Sequence, residues 1–248
     1  MPTQETSPKK STPGNLRNSH YPAAATITMA VIVFWYAYAA IRYGTGGMST
    51  LNKSLATSTL FLLGFVLLLG PLSRGFRLFD RFVQYRKELG ILGVFTAGTH
   101  VYMSMFPLAR NGPFGFYLAR PLSAYAGLAG LFLMAGLLAL SADAVRKKFD
   151  SRVWWKMQNW GIRAAFLSIG LHVVALKYSG WPAWFATHGA EIKEGVAGLP
   201  PISLLSSVFV ALVVAVRLGE LLGTSKSRII TYLSFGTAMV YTLWLFVF

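Results

Sequence analysis

The sequence predicts an all-α membrane protein, a polytopic helical bundle of six core helices plus one. Of its 248 residues, 54% are hydrophobic and only 12% are charged, whereas an average soluble domain carries roughly 25% charged residues. Seven apolar segments, each long enough to cross a bilayer as a helix, alternate with short polar segments. Because lipid offers no hydrogen-bond partner to exposed backbone, these segments are expected to be helices.

The predicted spans follow one another with short connections. They are residues 23–41, 54–73, 89–109, 121–142, 157–176, 195–216 and 229–248. The fourth is rich in small residues, which allow close contact between helices. The fifth is interrupted by Arg163, and the sixth has Pro200 and Pro201 near its start.

Two units are expected along the chain. Residues 1–20 are polar and rich in Pro, Ser and Thr, without the apolar core of a signal peptide, so they are predicted to be a disordered tail. Residues 21–248 form a single transmembrane helical domain in this interpretation.

The distribution of basic residues predicts the orientation. With the N-terminus inside, the inner segments hold sixteen Lys and Arg residues and the outer segments hold six. Cytoplasmic loops carry such an excess, so the N-terminus is predicted to be inside. The same topology explains the net charge of +15, and no nucleic-acid binding is expected.

Several kinds of chemistry lack their residues in this sequence. The chain has no Cys, which excludes disulfides, thiolate metal sites and iron–sulfur clusters. No paired carboxylates lie within the apolar spans, as a proton-coupled transporter would need. No H-E-x-x-H, G-x-S-x-G, P-loop or dinucleotide-binding motif occurs. No catalytic residue is therefore predicted.

Two histidines are the strongest candidates for a site. His100 lies in the third span and His172 in the fifth, and an ionisable residue inside a membrane segment is costly enough to indicate function. If both helices run from inside to outside, the two imidazoles share one depth and can ligate one haem iron. The alternative is that each histidine hydrogen-bonds a neighbouring helix, with Thr96, Thr99, Ser104 or Ser168 as a partner. No third or fourth ligand for zinc is in view.

Further residues are predicted to support haem binding. Arg110, Arg120 and Lys177 lie at the predicted outer edge, where haem propionates need cationic partners; the alternative is that they only set the topology. Four glycines could leave room for a flat macrocycle or could serve ordinary helix packing. They are Gly90, Gly93, Gly98 and Gly170.

The longer loops carry aromatic and basic residues. Residues 73–88 and 143–158 are expected to be amphipathic interfacial segments or, alternatively, a docking surface for an acidic partner. The outer loop 179–199 contains Trp181, Trp184 and Phe185, which are expected at the membrane interface, at a cofactor edge or at a quinone entrance. His20 and His188 need no functional role.

The segment YRKELGILGVFTAGTHVYMSMF resembles the third helix of the ferric-reductase-like transmembrane domain family. The segment LALSADAVRKKFDSRVWWKMQNWGIRAAFLSIGLHVVALKY resembles the passage from its fourth to its fifth helix. The segments resemble especially the bacterial haem-binding branch that serves a periplasmic methionine sulfoxide reductase. The resemblance covers about residues 86–178 and implies a haem-binding electron-transfer protein, with a bacterial inner membrane as its location.

The sequence departs from the family pattern on the inner side. The family places two histidines, about fourteen residues apart, on each of these helices and stacks two haems. The inner positions are Arg86 and Gln158 here, although even the bacterial branch usually keeps a histidine at the second. The resemblance therefore implies one outer haem b, metal-ligated by His100 and His172, and no inner haem.

Two functions from different classes are expected. The first is an integral membrane b-type cytochrome that passes electrons from quinol or a partner protein to an acceptor or redox partner on the outer face, as an oxidoreductase subunit, with quinone as a further cofactor candidate. The second is a haem-free structural or assembly subunit that docks partners through its basic inner loops.

Overall fold

The computed structural model describes residues 20–76, 79–109, 119–186 and 198–247. Within these ranges the chain is helical and contains no strand. This confirms the predicted all-α helical bundle. The predicted disordered tail, residues 1–20, lies outside the described residues except for His20, which begins the first helix.

Seven long helices and three short ones make up the described chain. In order they are α1 (His20–Tyr43), α2 (Met48–Gly75), α3 (Asp80–Val83), α4 (Arg86–Met105), α5 (Pro121–Leu140), α6 (Asp143–Arg146), α7 (Ser151–Lys177), α8 (Trp181–Ala186), α9 (Ile202–Gly219) and α10 (Thr224–Val247). Single 3₁₀ turns follow α7 and α9, at Tyr178–Gly180 and Glu220–Leu222.

The long helices alternate in direction. At one end of the bundle, the start of α2 contacts the last turns of α4 through Asn52 and His100, and the start of α5 contacts the last turns of α7 through Ser123 and His172. We call this the histidine end. At the opposite end, Arg86 at the start of α4 reaches the C-terminal half of α2, and Arg217 near the end of α9 lies close by. We call this the arginine end. As predicted, α4 and α7 run in the same direction.

Two helical hairpins form the centre of the bundle. Helix α2 packs on α4, α5 packs on α7, and α9 contacts both α2 and α7. Helix α2 is the most buried of the described helices because α1 packs on it as well. The main core joins Leu residues of α2 to Phe166 on α7 and to Phe209 and Val213 on α9. Each hairpin is therefore one packing unit that carries one of the two histidines.

Local chemistry determines where several helices begin. Helix α7 starts at Ser151, earlier than the predicted span, because the Asp150 carboxylate accepts hydrogen bonds from the backbone N–H groups of Arg152 (2.9 Å) and Val153 (3.3 Å). Helix α9 starts after Pro201, later than predicted, because helical backbone geometry is unfavourable for a residue that precedes a proline. The two basic connections contain short helices, α3 and α6.

The protein is an integral, multi-pass membrane protein. Six helical segments in the described ranges are long and apolar enough to cross a membrane: His20–Tyr43, Met48–Gly75, Pro121–Leu140, Ser151–Ala186, Ile202–Leu222 and Ser225–Val247. Helix α4, the third of seven predicted spans, is present and packs in the bundle, but it is not among the six. Arg86, Lys87 and Glu88 fill its first turn and lower its mean hydropathy. That α4 crosses the membrane as a seventh span, and that the N-terminus lies inside, remain predictions.

Gly64 of α2 lies where this helix packs closely against α9 and α7. A Cβ at this position would lie 2.2 Å from the Phe209 ring and 3.2 Å from the Phe166 ring. The Phe209 ring has little freedom to move because it stacks on Phe61 at 4.1 Å.

We expect Gly64→Ala to lower the free energy of unfolding by about 1–3 kcal/mol through overpacking. The control is Gly236→Ala on α10, where a Cβ would meet nothing within 4 Å. Thermal unfolding in detergent measures both. Equal unfolding midpoints for the two variants would contradict the packing described.

Candidate functional site

His100 is held by the first turns of α2. Its Nδ1 lies 2.8 Å from the Asn52 side-chain oxygen and 3.2 Å from the Asn52 backbone carbonyl oxygen. The Asn52 amide nitrogen in turn donates to the Ser104 hydroxyl at 2.8 Å, one helical turn beyond His100. This second bond fixes which way the Asn52 amide points and presents its oxygen to the imidazole.

His172 is held in the same way by the first turn of α5. Its Nδ1 lies 2.8 Å from the backbone carbonyl oxygen of Ser123 and 3.1 Å from the Ser123 hydroxyl. That hydroxyl also donates to the His172 carbonyl oxygen at 3.1 Å. Gly127 lies against the same imidazole, since a Cβ there would be only 2.8 Å from Nδ1. Thus α5 supplies both an acceptor and a space for the ring.

These contacts determine the tautomer of both imidazoles. A carbonyl oxygen only accepts, so each Nδ1 must carry the proton and donate. In the neutral ring, Nε2 then keeps its lone pair, and among the described residues neither Nε2 has a hydrogen-bond partner. A histidine that donates from one nitrogen to a backbone carbonyl and offers the other is the usual form of a metal-ligating imidazole.

The two histidines share one depth in the bundle. Each lies five residues before the last residue of its helix, His100 before Met105 and His172 before Lys177, which is about 7.5 Å of helix. Both side chains are half-buried. The histidine end therefore contains both predicted residues, each about one and a half turns before the C-terminal end of its helix.

Cationic side chains surround this end of the bundle. Arg120, just before α5, donates from Nη1 to the carbonyl oxygen of Leu176 at 2.9 Å, and Arg120 and Lys177 are close enough to interact. Lys53, next to Asn52, is within range of Lys177 as well and lies 3.9 Å from the Tyr43 ring centroid. The third predicted cation, Arg110, lies outside the described residues.

Lys53 was not predicted as a site residue. In the sequence it is one of several outer Lys and Arg residues. Only the contact between Asn52 and His100 brings it to the site. Its position beside Asn52, a polar residue in the first turns of an otherwise apolar helix, is the sequence feature that could have indicated a role at the site.

The glycines divide between packing and open space. Gly93 packs against Leu62 and Leu63 of α2, and Gly170 packs against Val210 of α9. A Cβ at Gly90 or Gly98 would meet nothing within 4 Å. Gly127, which no sequence pattern singled out for the site, is the glycine that contacts an imidazole.

The predicted inner positions hold hydrogen bonds of their own. Arg86 donates from Nε to the Val66 carbonyl oxygen at 3.2 Å. Gln158 donates from its amide to the carbonyl oxygen of Leu137 and to the hydroxyl of Ser141, both at 3.3 Å. Neither side chain is an imidazole, so this level lacks the ligand pair found at the histidine end.

The hydrogen-bonding alternative for the histidines proves partly right. Both do bond a neighbouring helix, but through Nδ1 alone and to Asn52 and Ser123. Of the expected partners, Thr96 bonds Thr59 at 3.0 Å, Thr99 bonds its own helix, and Ser104 bonds Asn52.

The outer aromatic residues lie beside α9 and α10. Trp181 donates to the Ser203 hydroxyl at 3.1 Å, Trp184 is buried, and Phe185 stacks on Trp244. His188 lies outside the described residues. In the described ranges no group of three or more His, Asp or Glu side chains is placed to hold a metal ion.

Comparison with known proteins finds a family similarity for this chain. Residues 54–169 match the family model for the ferric reductase like transmembrane component. This segment is therefore similar to a ferric-reductase-like transmembrane domain. The match runs from α2 into α7 and includes His100; His172 follows three residues after its end. No curated protein matches the chain.

This match confirms the predicted family resemblance. A ferric-reductase-like transmembrane domain indicates a membrane redox protein, and domains of this family typically bind haem. The two exposed lone pairs at the histidine end are the donor set that a haem iron takes from a protein, so the residues present fit that group.

The tautomers can be observed directly. In the cofactor-free protein, we expect imidazole ¹⁵N NMR to show both Nδ1 atoms protonated and both Nε2 atoms unprotonated. Asn52→Ala removes the 2.8 Å acceptor and should shift His100 towards a mixture of tautomers, with His172 unchanged. Asn159→Ala, at the arginine end, is the control. Protonated Nε2 atoms in the native protein would contradict the assignment.

Proposed function

We propose that the protein is a membrane b-type cytochrome that holds one haem between His100 and His172 and transfers single electrons. The observation that carries this proposal is the matched pair of imidazoles, each with Nδ1 donating to a neighbouring helix and Nε2 left as a ligand. The family match supports a redox role for the same segment.

When bound, a haem with two imidazole ligands supplies one-electron chemistry and leaves no open position for oxygen. The protein's residues prepare that ligation. Asn52 and Ser123 orient the rings, fix their tautomers and raise the basicity of the ligating nitrogens through the Nδ1–H bonds. Because both histidines are bonded to the partner helix of their own hairpin, the ligand pair depends on correct packing of both hairpins.

Lys53, Arg120 and Lys177 are proposed to pair with the haem propionates. All three lie at the histidine end and interact with one another or with the histidine region. Guanidinium and ammonium groups form strong charge-assisted hydrogen bonds with carboxylates such as the propionates. Arg110 keeps its predicted role in the same group as part of the proposal.

The proposed electron path has one haem and reaches the outer face. The inner ligand positions are occupied by Arg86 and Gln158, whose side chains are hydrogen-bonded and are not imidazoles. The proposal therefore includes no inner haem. Electrons would come from quinol or from a partner protein within the membrane, and the acceptor would be a redox partner on the outer side. A bacterial inner membrane is the proposed location.

Absorption spectroscopy tests the proposal. The full chain, expressed with ample haem and purified, should give a low-spin b-type spectrum in the difference between reduced and oxidised protein, with about one haem per chain, since two imidazole ligands hold one iron. His100→Ala and His172→Ala should each abolish it.

Two outcomes would contradict the proposal. Two haems per chain would mean that a further ligand pair exists. A folded but colourless native protein would favour the haem-free docking subunit, which relies on the basic segments that contain α3 and α6.

Gly127 provides a second test, because it alters the site without removing a ligand. In Gly127→Ala the new Cβ would press on the His172 ring at 2.8 Å, so we expect haem content to fall by about tenfold, as when a supporting contact of a metal ligand is lost. Gly136→Ala on the same helix meets nothing within 4 Å and should keep full content. Equal haem content in both variants would contradict the assigned position of His172.

A further inference from the structure

The arginine end contains a cluster of guanidinium groups from several helices. A Cβ placed on Gly70 of α2 would lie 3.8 Å from Arg217 Nη1, 3.8 Å from Arg86 Nη1 and 3.9 Å from Arg74 Nη2. These three side chains come from α9, α4 and α2. Three positive charges therefore surround one point beside the α2 backbone.

Among the described residues, one carboxylate, that of Glu220, forms the ion pairs of this cluster. Glu220 pairs with Arg74, lies 2.6 Å from Arg217 Nη1 and is 3.9 Å from Arg163 Nη2. Arg86 makes no ion pair within the same ranges and bonds only the Val66 carbonyl. The four arginines and Glu220 thus leave an excess of three positive charges.

The cluster is unusual because it is partly removed from water. The side chain of Arg217 is only 11% exposed and that of Arg163 is 23% exposed. The Nε atoms of both are buried without a hydrogen-bond partner. Mutual repulsion among half-buried like charges is costly, and an additional anion would relieve it.

A cleft opens next to the cluster and gives access to it. Its volume is about 160 Å³, and it lies between the end of α2 and the start of α10. One wall of the cleft contains Arg74 and Glu220. The other wall belongs to α10 and contains Ser227, Arg228 and Thr231. Arg228 and Arg74 are both exposed, so the cleft lining offers a ligand two guanidinium groups.

We propose that this cleft binds a phosphate group, either the headgroup phosphate of an anionic phospholipid or inorganic phosphate. Guanidinium groups match phosphate oxygens with paired N–H donors. Hydroxyl-bearing Ser227 and Thr231 lie in the same lining, and Gly223, at φ 88°, allows the turn that brings α10 against α2.

The test uses the full chain in a non-ionic detergent and follows thermal unfolding by tryptophan fluorescence. Three additions are compared at constant ionic strength: a short-chain phosphatidylglycerol, a phosphatidylcholine of the same chain length, and inorganic phosphate. A ligand that binds only the folded state raises the midpoint, and we expect about 5 °C at saturation.

The variant is Arg74→Gln with Arg228→Gln, which removes two exposed guanidinium groups of the cleft. Arg228→Gln alone is the milder variant, should the double change unfold the protein. Arg152→Gln, an exposed arginine on α7 outside the cleft lining, is the control.

The outcomes separate the sources of phosphate. A shift with phosphatidylglycerol alone, lost in the cleft variants and kept in Arg152→Gln, identifies a lipid headgroup. A shift with inorganic phosphate that is lost in the same variants identifies free phosphate. No shift with either addition, or an equal shift in native protein and cleft variants, overturns the proposal. None of these results depends on haem.

Discussion

The site depends on one repeated interaction, an imidazole Nδ1–H that donates to the neighbouring helix of the same hairpin. It joins α4 to α2 through Asn52 and α7 to α5 through Ser123. A hydrogen bond of this kind adds only about 1 kcal/mol to stability. Its larger effect is to fix the tautomer and orientation of each ring, so that both Nε2 atoms become available at the same depth.

Basic side chains cluster at both ends of the bundle. At the histidine end, Lys53, Arg120 and Lys177 lie near two neutral imidazoles. At the arginine end, Arg74, Arg163 and Arg217 share Glu220, and Arg86 lies close to Arg74 and Arg217. Both ends therefore place basic side chains close together. Haem propionates at one end and a phosphate group at the other are the anions that we propose.

The helices and their order could be predicted from the sequence because lipid leaves the backbone few alternatives to a helix. Each of the seven predicted spans overlaps a helix, six of these helices are long and apolar enough to cross a membrane, and the family resemblance is confirmed. The exact ends could not be predicted, since they depend on local groups such as the Asp150 cap. Helix α4 carries too much polarity in its first turn to be recognised as a span by composition alone.

The candidate site was predictable only in part. The cost of an ionisable residue inside an apolar span singled out His100 and His172, but their partners, Asn52 and Ser123, were not among the residues expected. Asn52 and Ser123 lie about fifty residues away in the chain, and Lys53 and Gly127 enter the site only through them. Likewise, Arg163 had no evident partner until α9 and its following turn brought Glu220 near it. Such contacts depend on helix pairing, which one sequence does not contain.

Electron paramagnetic resonance of the oxidised, haem-loaded protein tests the central claim most directly. If His100 and His172 are the two ligands of one iron, the spectrum should contain a single low-spin ferric signal. Its integrated intensity should correspond to about one haem per chain, because bis-imidazole ligation leaves one iron and no open position. A high-spin signal would contradict ligation by both histidines, and two distinct low-spin signals would contradict the single-haem assignment.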